Sequence, residues 1–339
     1  MKAFANQNAR SVQQAVALAR QALDSGRAVS FAGGGSDLLQ LVKDHIPNRP
    51  GSSPGIGEPD VLINLKGVVG LDRVESNAGG LRIGALTTLR ALAEDAAVRE
   101  RYTVLSEAAE TVATPQIRNV GTLAGNVAQR PWCWYFRNGF PCYKAGGDRC
   151  FSAGGENQLH AIFGGGPSYI VHPSDMAPAL VALGATFRVA GTAGERAVAA
   201  AEFFVLPRQD ALHENVLADD EVLIGFDVPA PGSGTRSTYR KIMDRETWTH
   251  ALTSAAVVLE MDGVTCRSAR IVLGGVAPVP WRVPAAERLL AGQRVTPDLA
   301  RRVGDAAVDG ARPLSKNAYK VPLTQKLVER TVLDLATRA

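Results

Sequence analysis

Two groups of residues in this chain have types and spacing that could do chemistry: glycines gathered in turns, and cysteines gathered in one segment. The first turn, Phe31-Ala32-Gly33-Gly34-Gly35-Ser36-Asp37-Leu38, joins the apolar run Ala28-Val29-Ser30-Phe31 to a helical pattern over Asp37 to Val42. Consecutive glycines let backbone N–H groups approach a diphosphate with no Cβ in the way, and a following helix N-terminus adds favourable partial charge. Neither standard nucleotide fingerprint is present: no Lys-Ser or Lys-Thr follows at P-loop spacing, and the G-x-G-x-x-G order is missing. The second loop, Arg118 to Asn126, sets Thr122 and Asn126, which can hydrogen-bond phosphate oxygens, beside the slim Gly121 and Gly125. Each loop alone reads equally well as an ordinary turn.

Cys133, Cys142 and Cys150 share one aromatic-rich segment, whereas Cys266 stands alone. That distribution argues against a disulfide framework and for a local site. Soft thiolates in a partly dry loop suit an iron–sulfur cluster. The spacing is too wide for a zinc knuckle, and no histidine sits at finger spacing. Cys266 reads as a packing residue, and His160 and His172 as hydrogen-bonded histidines rather than ligands. No Ser-His-Asp or metal-hydrolase arrangement is visible, so the hard chemistry would belong to cofactors.

The elements that must position these residues follow from periodicity. Ser11 as N-cap and the spacing of Val12, Ala15, Val16, Ala19 and Leu23 predict a helix to Leu23. Strands are predicted at 61–65, 81–85 and 185–189, and helices at 88–95, 105–111 and 176–183. Pro47 to Pro59 reads as a loop, and residues 130–168 break the α/β rhythm as an insert. Pro229 to Gly234 reads as a linker. Beyond it, strands at 238–243, 251–261 and 269–273 precede helices at 285–290, 297–308 and 323–336, predicting an α+β domain with one sheet face covered. The formal charge of +4 comes from scattered Lys and Arg, so a nucleic-acid partner is not expected. No apolar stretch is long enough to span a bilayer, and no signal core follows Met1, so the cytoplasm is expected unless a partner carries the chain out.

Taken together, the two glycine loops resemble the paired FAD-binding motifs of the flavin (medium) subunit of the xanthine dehydrogenase and aldehyde oxidoreductase family of molybdenum hydroxylases. Leu81 to Leu86, His172-Pro173-Ser174-Asp175-Met176-Ala177, Tyr239-Arg240-Lys241 and Gly274-Gly275-Val276-Ala277-Pro278 extend the resemblance over nearly the whole chain. It implies an α+β, two-subdomain FAD-binding fold of the vanillyl-alcohol-oxidase (PCMH) type at 1–228, with subdomains at about 1–57 and 58–228 and the cysteine insert at about 130–168. A C-terminal α+β domain of the CO dehydrogenase flavoprotein type would follow at 235–339.

The resemblance also implies residue roles. Ser30, Phe31, Ala32, Gly33, Gly34, Gly35, Ser36, Asp37 and Leu38 would wrap the FAD pyrophosphate, and Thr122, Gly125 and Asn126 would complete the phosphate and ribityl contacts. Asp175, Lys241 and Leu223 or Ile224 would lie toward the flavin; otherwise Asp175 is a helix N-cap and Lys241 a solvated strand residue. Ala124 stands where many relatives have glycine. The cysteine insert resembles that of periplasmic aldehyde oxidoreductases and 4-hydroxybenzoyl-CoA reductases, which holds one [4Fe-4S] cluster. Cys133, Cys142 and Cys150 would be ligands, but the family's fourth cysteine aligns with Ser168. The cluster could be completed by a serine oxygen, Tyr169 or solvent; it could be a three-iron cluster; or the insert could be a vestige with free thiols.

The implied function is electron transfer in a heterotrimer. A large partner subunit would oxidise substrate at a molybdenum cofactor, and a small [2Fe-2S] partner would pass electrons to FAD here, for an external acceptor. The rival reading is a stand-alone FAD-dependent oxidoreductase of the same flavin fold. Compartment would follow the partners, periplasmic if a signal-bearing one exports the complex.

Overall fold

The computed structural model describes residues 2–46, 58–247 and 249–338; of the loop expected at Pro47–Pro59, all but Glu58 and Pro59 lies outside them. Three sheets organise the chain. The first is parallel, in the order β1 (Ala5–Asn8), β3 (Val61–Asn64), β2 (Val29–Ala32). Helix Val12–Asp24 crosses between β1 and β2, and its start is fixed by the Ser11 hydroxyl, which accepts from Gln14 N–H. Ala15, Val16, Ala19 and Ala22 recur on one stripe and bury against Val61 and Ile63.

The second sheet is antiparallel, in the order β4 (Val74–Asn77), β5 (Gly80–Gly84), β8 (Val222–Pro229), β6 (Thr186–Gly191), β7 (Gly194–Ala199). Helices Leu89–Glu94, Thr103–Glu110 and Met176–Leu183 build its core with Phe187 and Phe226. Helix Met176–Leu183 is buried at every position, and Gly184 stops it in the left-handed region (φ 68°). Its central strand, β8, went unread in the sequence. Residues 169–172, between the insert and helix Met176–Leu183, form no strand; Val171 makes one isolated bridge to Trp132.

The third sheet runs β12 (Trp281–Arg282), β11 (Thr265–Gly274), β10 (Thr253–Asp262), β9 (Thr235–Ile242), with β13 (Gln293–Arg294) also on β11. Helices Pro284–Leu290, Pro297–Ala307 and Lys320–Thr337 cover one face, meeting Ala255, Val257 and Leu259. The sequence pattern accounts for that covered face only. On the other face Tyr239, Ala256 and Val272 join the core of the second sheet. Strand alternation therefore sends successive residues into two cores, which fixes the sheet between them. Nor is the stretch after Pro229 a loose tether: Met261 N–H bonds Gly234 O, and a Cβ at Gly234 would stand 2.2 Å from Met261 O.

Candidate functional site: a groove where two glycine turns meet

The two glycine turns, far apart in sequence, touch. A Cβ built on Gly33 would stand 3.0 Å from Thr122 Oγ1, and one on Gly34 only 1.9 Å from the Val120 carbonyl oxygen. Gly34 was expected to be bare so that a phosphate could approach. Its bareness instead lets one backbone pass against the other.

The second turn is not the open loop the sequence suggested. Helix Pro115–Val120, started by Thr114, is followed at once by helix Leu123–Val127, with Gly121 and Thr122 as the joint. The Thr122 hydroxyl accepts from Gly125 N–H at 3.2 Å, and Leu89 N–H fastens the joint from outside by bonding Gly121 O. Asn126 Oδ1 accepts the Ser174 hydroxyl at 2.6 Å, which leaves its amide NH₂ as a donor.

Between the turns lies a groove of about 850 Å³. Every residue from Ser30 to Leu38 lines it, as do Thr122, Gly125, Asn126 and Asp175. Among the described residues, the N–H groups of Gly33, Gly34, Gly35 and Ser36 donate to no protein acceptor. Backbone donors left unpaired at one turn form a concave anion cradle. This is the property a diphosphate requires, and the residues present fit one.

Two expected contacts are placed elsewhere. Ile224 packs in the core of the first sheet, whereas its neighbour Leu223 reaches the groove wall. Lys241 lies outside the groove lining and is no solvated strand residue: its buried ammonium stands 2.7 Å from Asp175 Oδ2 and also donates to Thr111 O. The other Asp175 oxygen accepts the Tyr239 hydroxyl at 2.6 Å. Burial raises the Tyr239 phenol well above its ordinary value, and the Asp175 charge and hydrogen bond add to this, so it remains the donor. Asp175 holds the N-cap position without capping; the Ser174 hydroxyl accepts from Ala177 N–H instead. The pair therefore braces the groove floor against the C-terminal sheet.

The opposite wall comes from the cysteine segment, which sequence reasoning did not connect to the groove. Arg130, Trp132 and Arg137 line it, with His213 and Glu214 from a stretch left unread. Trp132 packs against His250 with ring centroids 4.4 Å apart and the rings tilted by 33°. Burial lowers the His250 pKa to about 4, aided by the nearby charges of Lys241 and Arg137, so the imidazole is neutral. Arg130 Nη1 lies 2.7 Å and Lys144 Nζ 3.0 Å from the buried Glu214 carboxylate, although the lysine is not aligned for a hydrogen bond to it. Asp37, expected at the pyrophosphate, gives one oxygen to Arg137 Nη1 at 2.7 Å and the other to Arg130 N–H at 3.2 Å.

Within this segment Cys133 and Cys142 are buried and Cys150 is half-buried. Burial pushes the Cys133 thiol up to about 12, and Cys142 and Cys150 press it in the same direction, so the three groups sense one another. Cys133 Sγ lies 3.2 Å from His160 Nε2, and Cys150 Sγ 3.1 Å from the Ser152 hydroxyl. His160 Nδ1 is buried without a partner, so His160 is not the fully hydrogen-bonded histidine expected; His172 Nδ1 accepts from Ser174 N–H. Among the described residues, no group of three His, Cys, Asp or Glu side chains is placed to hold a single metal ion, and no hydrogen bond joins the buried Ser168 hydroxyl to the thiols. Cys266 lies in the C-terminal core, as expected of a packing residue.

The end of the segment is tied to the C-terminal domain. Asn157 Nδ2 donates to Ser315 Oγ, Lys316 N–H to Asn157 Oδ1, Asn317 Nδ2 to His160 O, Lys320 Nζ to Leu159 O, and Arg312 N–H to Ile162 O.

The same two halves are recognised when the chain is compared with known proteins. The family described as the FAD binding domain in molybdopterin dehydrogenase matches residues 2–231, and the CO dehydrogenase flavoprotein C-terminal domain matches residues 237–335. The aldehyde oxidoreductase FAD-binding subunit PaoB of Escherichia coli (strain K12) is 34% identical, with 100% of each chain covered. The carbon monoxide dehydrogenase medium chain of Hydrogenophaga pseudoflava is 28% identical over 95% of this chain and 93% of the relative. A solved carbon monoxide dehydrogenase from Hydrogenophaga pseudoflava superposes with a TM-score of 0.76 at 26% identity, covering 99% of this chain and 97% of that one. Matched in both halves and along its whole length, the chain belongs to the FAD-binding medium subunits of the molybdenum hydroxylase family and is the flavoprotein subunit of a multi-subunit oxidoreductase.

Proposed function

We propose that this subunit holds FAD with its diphosphate on the Gly33–Ser36 turn, receives electrons from a partner [2Fe-2S] subunit, and presents them to an external acceptor. The observation that carries the reading is the set of unpaired N–H groups at Gly33, Gly34, Gly35 and Ser36, in residues that line the same groove as Thr122, Gly125 and Asn126. Bound FAD supplies the conversion between one- and two-electron transfer. The chain's own residues bind and orient it. The turn donates to the phosphates, the Asn126 amide reaches the adjoining ribityl region, and the neutral Trp132–His250 pair offers an aromatic wall.

A domain division at 1–228 and 235–339 suits this reading, with most of the groove lining in the first part, His250 of the second part completing one wall, and the Asp175–Lys241 pair joining the two. Substrate oxidation would belong to a molybdenum-binding large subunit, and the compartment would follow the assembled complex. Aldehydes are the favoured substrate class, because the PaoB relative is named an aldehyde oxidoreductase subunit.

The cysteine segment is read as an iron–sulfur site of the insert type, with Cys133, Cys142 and Cys150 as ligands to a [4Fe-4S] cluster and Ser168 at the fourth position. Support comes from three thiols that influence one another in an aromatic, largely dry loop.

Purification of the full chain with its partners tests both parts. Flavin absorbance at one FAD per chain is expected, and protein that stays colourless under saturating FAD overturns the groove reading. Iron and acid-labile sulfide in excess of the partner's [2Fe-2S] content is expected; its absence, or zinc in its place, overturns the cluster.

A further inference from the structure

We propose that Arg137, in the cysteine segment, is a positioning residue for flavin binding: it neutralises Asp37 and so keeps the diphosphate turn receptive to an anion. The inference rests on the placement of the FAD diphosphate proposed above. Asp37 closes the glycine turn directly after Ser36 and occupies the N-cap position of helix Leu38–Lys43, yet its side chain caps no amide there. Both carboxylate oxygens are instead engaged by the cysteine segment, through Arg137 Nη1 at 2.7 Å and Arg130 N–H at 3.2 Å.

Arg137 is itself held in place. Its Nε donates to Pro131 O at 3.0 Å and its Nη2 to Arg130 O at 2.8 Å, so the guanidinium is fixed before any ligand arrives. An unpaired carboxylate on the turn that cradles a diphosphate would repel it, because like charges at close range disfavour each other. Arg137 removes that repulsion across a sequence separation of 100 residues. The cysteine segment therefore sets flavin affinity whether or not it carries metal.

Flavin-fluorescence titration of the full chain separates charge neutralisation from a merely structural role. Arg137→Ala should weaken FAD binding by about tenfold or more, the scale of losing one charge-assisted hydrogen bond. Asp37→Asn alone should bind at least as tightly as wild type. The double substitution, which removes both charges, should return to within about threefold of wild type, the non-additivity expected of a coupled pair. Unchanged affinity in Arg137→Ala overturns the proposal, and so does a double variant as weak as Arg137→Ala. Should Arg137→Ala fail to fold, Arg137→Gln with Asp37→Asn supplies a neutral hydrogen-bonded pair, and wild-type affinity there supports the proposal while weak binding overturns it. Failure of the wild-type chain to take up FAD is a separate result and overturns the groove reading itself.

Discussion

The glycine junction and the cysteine segment wall the same groove and keep their shape by opposite means. At the junction two backbones approach so closely that Gly34 has no space for a Cβ, and regular elements run directly into and out of the contact. The cysteine segment has only the short helices Trp134–Arg137 and Tyr143–Ala145. Its order is supplied from outside, by Asp37, by Glu214 and by residues 312–320. One wall should therefore be sensitive to added volume and the other to lost charge or hydrogen bonds.

The largest effect is expected where charge is buried. Glu214→Gln leaves Arg130 and Lys144 facing a neutral amide, and removing one member of a buried ionic network costs about 3–5 kcal/mol. Chemical denaturation should show that loss; a change below about 1 kcal/mol would mean that other contacts order the segment. At the junction, Gly34→Val forces its side chain into the Val120 carbonyl, with an expected cost of about 3 kcal/mol and loss of bound flavin. Retained flavin with an unchanged melting temperature would sink the contact described.

Acid should act next, at the buried His172 that precedes Asp175. Burial lowers the His172 pKa from 6.5 to about 4. The unfolded chain takes up this proton first, so stability falls as pH drops from about 6.5 to about 4 and the contribution is fully lost below that. Up to about 3 kcal/mol is involved, at 1.36 kcal/mol per pKa unit. His172→Asn keeps an acceptor for Ser174 N–H but cannot titrate, and its denaturation midpoint should vary less over that window. An identical pH dependence would assign the acid sensitivity elsewhere.

The smallest effect is the control. A Cβ on Gly154, inside the cysteine segment, meets nothing within 4 Å, so Gly154→Ala should stay within about 0.5 kcal/mol of wild type by thermal melting. A large loss there would show that this wall, too, is limited by volume.

What could be read in advance divides along the same line. Helix Met176–Leu183 was legible to the residue, because an unbroken apolar run is bounded by polar Asp175 and by a glycine that accepts the left-handed region. The first glycine turn was legible for similar reasons. Strand β8 was not, since Gly225 interrupts its apolar run and Pro229 suggested a linker. Helices Pro115–Val120 and Leu123–Val127 are too short for periodicity to register, although each has a threonine at its N-cap. Asp37 and Lys241 were found as residues, but the ion pairs they make were not. Their partners lie 100 and 66 residues away, and nothing local in a polar loop or a strand announces such a pairing.

The bonds between residues 157–162 and 312–320 also bear on how the protein is made. A nascent chain that ends short of residue 312 has every residue of both glycine turns, yet offers the cysteine segment none of those acceptors and donors. The end of that segment, residues 157–162, would therefore settle only after residues 312–320 have been made, whereas the groove-lining Arg130 and Arg137 find Glu214 and Asp37 earlier in the chain.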